Sequence, residues 1–203
     1  MRFLKALKDD ERGGPLAEFA LVIGFLFMVG LFVFEITRFF TQLAMAEYAT
    51  HQAVRRAVVR PPVCADVPEI NQRDPNFNGT PARFGTLCSA GGNCATPAAA
   101  VCPGTAGDPV VDEIFGVVRP LLPNGATPAN LEFTYEPSGL GFLGGPYVPI
   151  VSVRLRQLDY DFIMPLGAFF APWGGGGGGN RSVPLPPLTA TMPGEDLNLG
   201  SGG

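Results

Sequence analysis

A single carboxylate at the edge of an apolar stretch is the first residue of this chain that could do chemistry. Glu18 directly precedes sixteen uncharged residues, Phe19 to Phe34. Such a side chain is costly in a bilayer and rare there, so we interpret Glu18 as a functional residue that needs a partner. Gly13 lies five positions before it and Gly14 four. This spacing suggests that the partner of Glu18 lies near these glycines.

Four cysteines form the second group with chemical potential. Their even number suits disulfides in an oxidising compartment, and they are Cys64, Cys88, Cys94 and Cys102. Three pairings are possible and the sequence does not choose among them. One economical arrangement nests Cys88–Cys94 inside Cys64–Cys102. A zinc site is an alternative, but the chain has no C-x-x-C pair and only one histidine. Free thiols are a further alternative.

The segment Asp74 to Gly79 has the D-x-N-x-N-G opening of a calcium loop. The bidentate glutamate expected at its twelfth position is replaced by Gly85. We interpret the segment as an Asx-rich turn, and calcium binding stays open.

Residues typical of catalysis are otherwise missing from the sequence. The lone His51 lies four residues from both Glu47 and Arg55, a spacing that predicts a solvated helix face. No G-x-S-x-G, H-E-x-x-H or paired-carboxylate pattern occurs, and no Gly-Lys-Ser/Thr follows the glycine run 174–179. The net charge of -4 is spread thinly, which argues against nucleic-acid binding. We expect a protein that is not an enzyme and takes no cofactor, metal or small-molecule substrate.

The element that positions Glu18 is an apolar run of 22 residues, Pro15 to Ile36. As a helix it covers about 33 Å, close to the hydrocarbon thickness of a bilayer. Pro15 suits a first helical turn. Basic residues flank the run on both sides, so charge gives the orientation only weakly. All four cysteines follow the run, which predicts a single span with the N-terminus inside and the bulk of the chain outside.

The helical pattern continues beyond the apolar run. Apolar or small residues recur at alternating spacings of four and three and predict one stripe: Phe39, Leu43, Ala46, Thr50, Ala53 and Ala57. A polar face begins at Arg38 and Gln42 and continues through Glu47. Pro61-Pro62 ends the pattern. The sequence therefore predicts one helix of about 45 residues, roughly 68 Å long.

The rest of the chain predicts loops and short elements, in keeping with 27 glycines and 21 prolines. Residues 63–109 show no period and are expected to be loop. Asp108 and Pro109 predict the start of a short helix, with one apolar side formed by Val110, Ile114, Val117, Val118 and Leu121. Trp173 and the glycine run are expected to form a flexible loop.

Period-two alternation predicts three strands. The first carries Leu131, Phe133 and Tyr135 on one side. The second runs from Val151 to Phe162, with a change of phase at Gln157 that we interpret as a bulge. A weaker third strand covers Leu188 to Met192.

Three segments follow one another in the first part of the chain: R-G-G-P-L-A-E-F-A-L-V from Arg12, E-I-T-R from Glu35, and an alanine-rich helix ending A-V-R-R-A-V-V. Together they resemble the TadE-like pseudopilins (TadE/TadG family) of tight-adherence, Flp-type pilus systems. The resemblance covers roughly residues 12 to 60. It implies an α+β, type IV pilin-like fold in which a long N-terminal helix packs on a small antiparallel sheet with a disulfide-pinned loop region. The implied organisation is a cytoplasmic leader (1–13), a transmembrane and extended helix (14–60) and an extracytoplasmic domain (61–203).

The resemblance also implies a role and partners. In that family a prepilin peptidase cuts on the cytoplasmic side after the glycine, here Gly13 or the adjacent Gly14, and glutamate occupies the fifth mature position. Counting from Gly14 places Glu18 there, followed by Phe19. The implied partners are other pilins and the assembly platform of a bacterial inner membrane, and the implied process is pilus-mediated adhesion. Whether the subunit enters the fibre or only primes it stays open.

Two other interpretations compete with a pseudopilin. A cleaved secretory signal would use the A-x-A-like triplet Ala44-Met45-Ala46 and begin the mature chain at Glu47. Its apolar core would be longer than usual, and Glu35 and Arg38 would stand between that core and the triplet. The second alternative is a single-pass anchored domain that binds a surface ligand with its Gly- and Asn-rich loops.

Overall fold

A computed structural model of the chain describes residues 14–90, 93–163, 182–195 and 197. The chain divides into two compact units. The first comprises residues 1–41 and 161–181, and the second comprises residues 42–160 and 182–203. The predicted leader, Gly13, Trp173 and the glycine run lie outside the described residues.

A long helix, α1, spans Gly14–Ala57 and is 44 residues long. Its extent confirms the prediction of one continuous helix through and beyond the apolar run. One further backbone bond, from Val58 N to Val54 O, follows its last residue at 3.0 Å. Pro61 and Pro62 come shortly afterwards and cannot donate the backbone hydrogen bonds that a continued helix requires.

The C-terminal part of α1 contributes a buried stripe to the core of the second unit. Ala46, Thr50, Ala53 and Ala57 are buried, as predicted, and Ala49 and Val54 widen the stripe. The predicted polar face is exposed at Glu47, His51 and Arg55. Gln42 differs from the prediction, since it is half-buried and its Nε2 donates to Leu121 O at 3.0 Å.

Four strands, each hydrogen-bonded to the next, form an antiparallel sheet that also contributes buried side chains to the core. The strands are β1 (Ala100–Pro103), β2 (Leu131–Pro137), β3 (Pro149–Leu155) and β6 (Leu188–Pro193). Alternate residues of β2 and β3 are buried, which confirms the predicted period of two. The central register pairs Phe133 with Val153 and Val153 with Ala190. This part of the structure is therefore α+β, with a long helix, a small antiparallel sheet and disulfides.

The phase change at Gln157 is a turn, so its interpretation as a bulge is wrong. Gln157 has φ 55, and β3 has already ended at Leu155. The Nδ2 of Asn130 donates to the carbonyls of Arg156 and Gln157, at 3.1 and 2.9 Å. The chain then leaves the larger sheet, and β4 (Asp159–Asp161) pairs with β5 (Ser182–Pro184).

A second helix, α2, spans Pro109–Val118 as predicted. The Asp108 carboxylate caps it by accepting hydrogen bonds from the backbone amides of Val110 and Val111. The prediction of its apolar side is partly wrong, because Val117 is exposed and Val110 is half-buried. Buried positions begin instead at Val111 and continue at Ile114, Phe115 and Val118. Short 3-10 turns follow at Arg119–Leu121 and Pro128–Asn130.

The four cysteines form two nested disulfides. Cys64 pairs with Cys102, and Cys88 pairs with Cys94. The first bridge connects the segment after α1 to β1, the strand that the sequence analysis placed in a loop. Nearby, the Val63 amide donates to the Tyr135 hydroxyl at 3.1 Å.

Several residues of the predicted loop region bind the backbone of the connection between β2 and β3. Leu143 N donates to Thr86 O at 2.9 Å, and Tyr147 N donates to Glu69 O at 3.0 Å. Isolated bridges join Ile70 with Pro146 and Leu87 with Phe142. The loop is therefore an ordered part of the second unit.

Candidate assembly site on the apolar helix

The N-terminal end of α1 carries the residues that the sequence singled out. Gly14 is the first helical residue, and Glu18 and Phe19 follow about one turn later. Both side chains are exposed, Phe19 at 65%. Gly13, on the other side of the candidate cleavage bond, lies outside the described residues.

Glu18 has no partner within the described part of the chain. Among residues 14–90, 93–163, 182–195 and 197, none forms an ion pair or hydrogen bond with its carboxylate. The described arginines in ion pairs bind other carboxylates, as Arg60 does with Glu113 at 2.8 Å. Any ion pair of Glu18 would therefore involve residues outside this part of the chain or another molecule.

The apolar run that follows Glu18 is uncovered. Its side chains are 37% to 76% exposed, and only 6% of its most apolar 18-residue window, of mean hydropathy 2.6, is buried. Among the described residues, α1 is a helix long and apolar enough to cross a membrane. Gly24 and Gly30 both have open space where a Cβ would lie. In water, this much exposed apolar surface would favour association.

Glu35 is the functional candidate that the sequence analysis missed. Its carboxylate is 1% exposed and accepts hydrogen bonds from Ile163 N at 3.1 Å and from Arg38 Nη1 at 3.2 Å. The spacing of Glu35 and Arg38 permits an ion pair on one helix face. The bond to Ile163 joins residues 128 positions apart, so no local pattern announces it.

Several polar groups of the loops offered as a ligand surface bind the chain's own backbone. Asn71 is buried and donates to Pro146 O at 3.0 Å, and Asn93 Nδ2 donates to Ala90 O at 2.9 Å. The segment 74–79 contains an Asx turn in which Asn76 N donates to Asp74 Oδ1 at 2.8 Å. In the described part of the chain, no cluster of three metal-ligating side chains is present.

A groove of about 820 Å³ lies beside the Cys64–Cys102 bridge in the second unit. Its walls include four prolines, the Tyr147 ring and the carboxylates of Glu69 and Glu195. Burial raises the pKa of Tyr147, which disfavours its ionised form. Among the described residues that line it, no nucleophile is paired with a base.

Searches against protein-family profiles, curated proteins and solved structures give no match to this chain.

Proposed function

We propose that this chain is a minor pilin-like subunit, a TadE-like pseudopilin, that acts in the assembly or priming of a tight-adherence type IV pilus. One observation carries the proposal. Glu18 is exposed near the start of an apolar 44-residue helix, four residues after Gly14, and has no partner among the described residues. A carboxylate in that position needs a positive partner, and a neighbouring subunit can provide one.

Cleavage after Gly13 would supply that charge. It creates an amine on Gly14, at the end of α1 where the helix dipole already places partial positive charge. A carboxylate from a neighbouring subunit would stabilise both the amine and the partial positive charge at the end of the helix. Because Gly14 and Glu18 are four residues apart, their pairing between parallel helices sets an axial offset of about 6 Å. The pair would thus fix the register of neighbouring subunits.

The continuous helix supports this proposal over a secreted protein. The triplet 44–46 lies in the middle of α1, and Ala46 is fully buried. Cleavage there would divide the helix and remove part of the stripe that fills the core of the second unit. We therefore propose that one span anchors the protein in the bacterial inner membrane. Its N-terminus is cytoplasmic, and its disulfide-containing unit is outside the cytoplasm.

The proposed partners are those that the resemblance to TadE-like pseudopilins implies. A prepilin peptidase removes residues 1–13, and other pilins meet the apolar helix. The leader contains four basic side chains, including both lysines, and three acidic side chains. Its removal therefore changes the net charge of the chain from -4 to -5. The mature chain then has one primary amine, at Gly14, available to Glu18 of the next subunit.

The decisive variant is Glu18→Ala in the native host. Breaking a pair of charges removed from water costs about 3–5 kcal/mol, which corresponds to a more than hundredfold loss of affinity. We expect the variant to insert and be processed like wild type, as shown by membrane fractionation and intact mass. Its copurification with other pilins after mild detergent extraction should fall sharply.

The matched control is Glu47→Ala on the exposed face of the same helix. It changes the same charge without touching the proposed pair and should copurify at the wild-type level. Equal copurification of Glu18→Ala and wild type would refute the charge-pair mechanism. An absence of pilins from the wild-type preparation would instead favour the anchored binding domain.

A further inference from the structure

Residues 162 and 163 are bound to α1 where its uncharged run ends. Ile163 N donates to the buried Glu35 carboxylate at 3.1 Å. The Phe162 ring stacks on Phe39, with centroids 6.3 Å apart and planes at 17°. All four residues belong to the first unit, so this arrangement holds within one compact body.

The outward side of this arrangement is apolar and open. Phe40 is 60% exposed and Ile163 is 63% exposed. Phe40 also packs edge-on against Phe39, with centroids 5.6 Å apart. We call Phe39, Phe40, Phe162 and Ile163 the apolar collar. It combines the exposed Phe40 and Ile163 with the half-buried Phe39 and the buried Phe162, next to the hydrogen-bonded Glu35 carboxylate.

The position of the collar along the helix identifies its environment. Glu18 and Glu35 are 17 positions apart, or about 25 Å of helix, close to the hydrocarbon thickness of a bilayer. If the run between them crosses the membrane, Glu35 lies at the outer boundary and the collar lies in the interfacial layer. Phe and Leu side chains insert at that level in amphipathic helices that bind the membrane interface.

The shielding of Glu35 fits the same level. A carboxylate at the edge of the hydrocarbon is costly unless hydrogen bonds satisfy it, and the Ile163 amide and Arg38 do so here. The sequence agrees with this environment, because no charged residue occurs between Asp161 and Arg181.

From these observations we infer a second membrane contact, in which the apolar collar inserts into the outer interfacial layer of the bilayer that α1 spans. The contact rests on the proposed membrane anchoring. Its partner is lipid, at the boundary between headgroups and acyl chains. The collar would fix how deeply α1 sits and prevent the helix from sliding along the membrane normal.

Depth-dependent fluorescence quenching tests this contact. The chain has one tryptophan, so Trp173→Phe gives a silent background into which single reporters are placed. Leu26→Trp reports on the middle of the span, Ile163→Trp on the collar, and Phe84→Trp on an exposed apolar site of the second unit; these sites are 67%, 63% and 77% exposed. Each variant is held as a single chain in nanodiscs whose lipids carry a spin label either high or deep in the acyl chain.

The expected pattern separates the two depths. Ile163→Trp should be quenched most by the shallow label, roughly twofold or more above Phe84→Trp, since interfacial side chains lie within about 5–10 Å of that boundary. Leu26→Trp should be quenched most by the deep label. Lipid quenching of Leu26→Trp with no quenching of Ile163→Trp beyond the Phe84→Trp level would overturn the collar and leave the anchoring intact.

Two other results would also overturn the inference. If neither Leu26→Trp nor Ile163→Trp is quenched, the anchoring fails and the collar fails with it. If Ile163→Trp is unquenched in single-chain nanodiscs but shifts its emission when chains are crowded in vesicles, the collar contacts a second copy instead of lipid.

Discussion

Removing the Cys64–Cys102 disulfide should destabilise the protein more than removing Cys88–Cys94. The two bridges differ mainly in the length of chain that they close, with cysteines 38 and 6 positions apart. A bridge restricts the unfolded chain in proportion to the logarithm of that length. The longer bridge also connects the segment after α1 to β1 at the edge of the sheet.

The loop-closure relation gives the expected magnitudes. It assigns about 3.9 kcal/mol to Cys64–Cys102 and about 2.2 kcal/mol to Cys88–Cys94. The difference of about 1.7 kcal/mol corresponds to more than a tenfold change in the unfolding equilibrium. Cys64 is 7% exposed, so its truncation adds a packing loss in the same direction.

The assay compares two matched double variants, Cys64→Ala with Cys102→Ala and Cys88→Ala with Cys94→Ala. Each leaves two cysteines, which can form only the remaining native bridge, and intact mass checks that they have done so. Urea unfolding of the full chain at a fixed detergent concentration, monitored by circular dichroism, gives the loss in free energy of unfolding for each double variant. Equal losses, or a larger loss for the Cys88–Cys94 variant, would refute the reasoning from chain length.

Three further predictions concern single side chains. Asp108→Ala should cost about 1 kcal/mol by uncapping α2 and lower the urea midpoint, whereas Asp108→Asn should stay near wild type. Burial raises the pKa of Tyr135. Tyr135 therefore ionises at a lower pH in the unfolded chain than in the folded protein. Its contribution to the free energy of unfolding is complete below the unfolded pKa and is lost as pH rises through the folded pKa. Tyr135→Phe should flatten that alkaline loss in pH-dependent urea titrations. Glu35→Ala removes the acceptor of the Ile163 amide and should speed its hydrogen exchange more than tenfold, whereas Glu35→Gln keeps an acceptor and should change it less.

The regular elements of the fold are predictable where the sequence alone sets the period. Helix α1 and strands β2, β3 and β6 were all predicted, because their apolar spacing matches helix or strand geometry over several residues. Strand β1 was missed because its four residues, Ala100–Pro103, show no clear alternation. It exists through pairing with β2, a long-range contact that local propensity does not encode.

The candidate site is also predictable only in part, because long-range contacts determine some of it. Glu18 is identified by its position beside an apolar run, which is evident in the sequence alone. Glu35 is identified only once the chain folds, because its burial depends on Ile163. The turn at Gln157 likewise depends on Asn130, which is 27 positions away in the chain and is brought beside it by the pairing of Leu131 with Leu155. Side chains that bind distant backbone leave no local signature.

The central claim is that a processed N-terminus neutralises the carboxylate at the start of the apolar helix. Intact mass of the protein purified from the membranes of its native host tests this claim most directly. The account predicts a chain that begins at Gly14 and lacks residues 1–13. A chain that begins at Met1, or at Glu47, would contradict it.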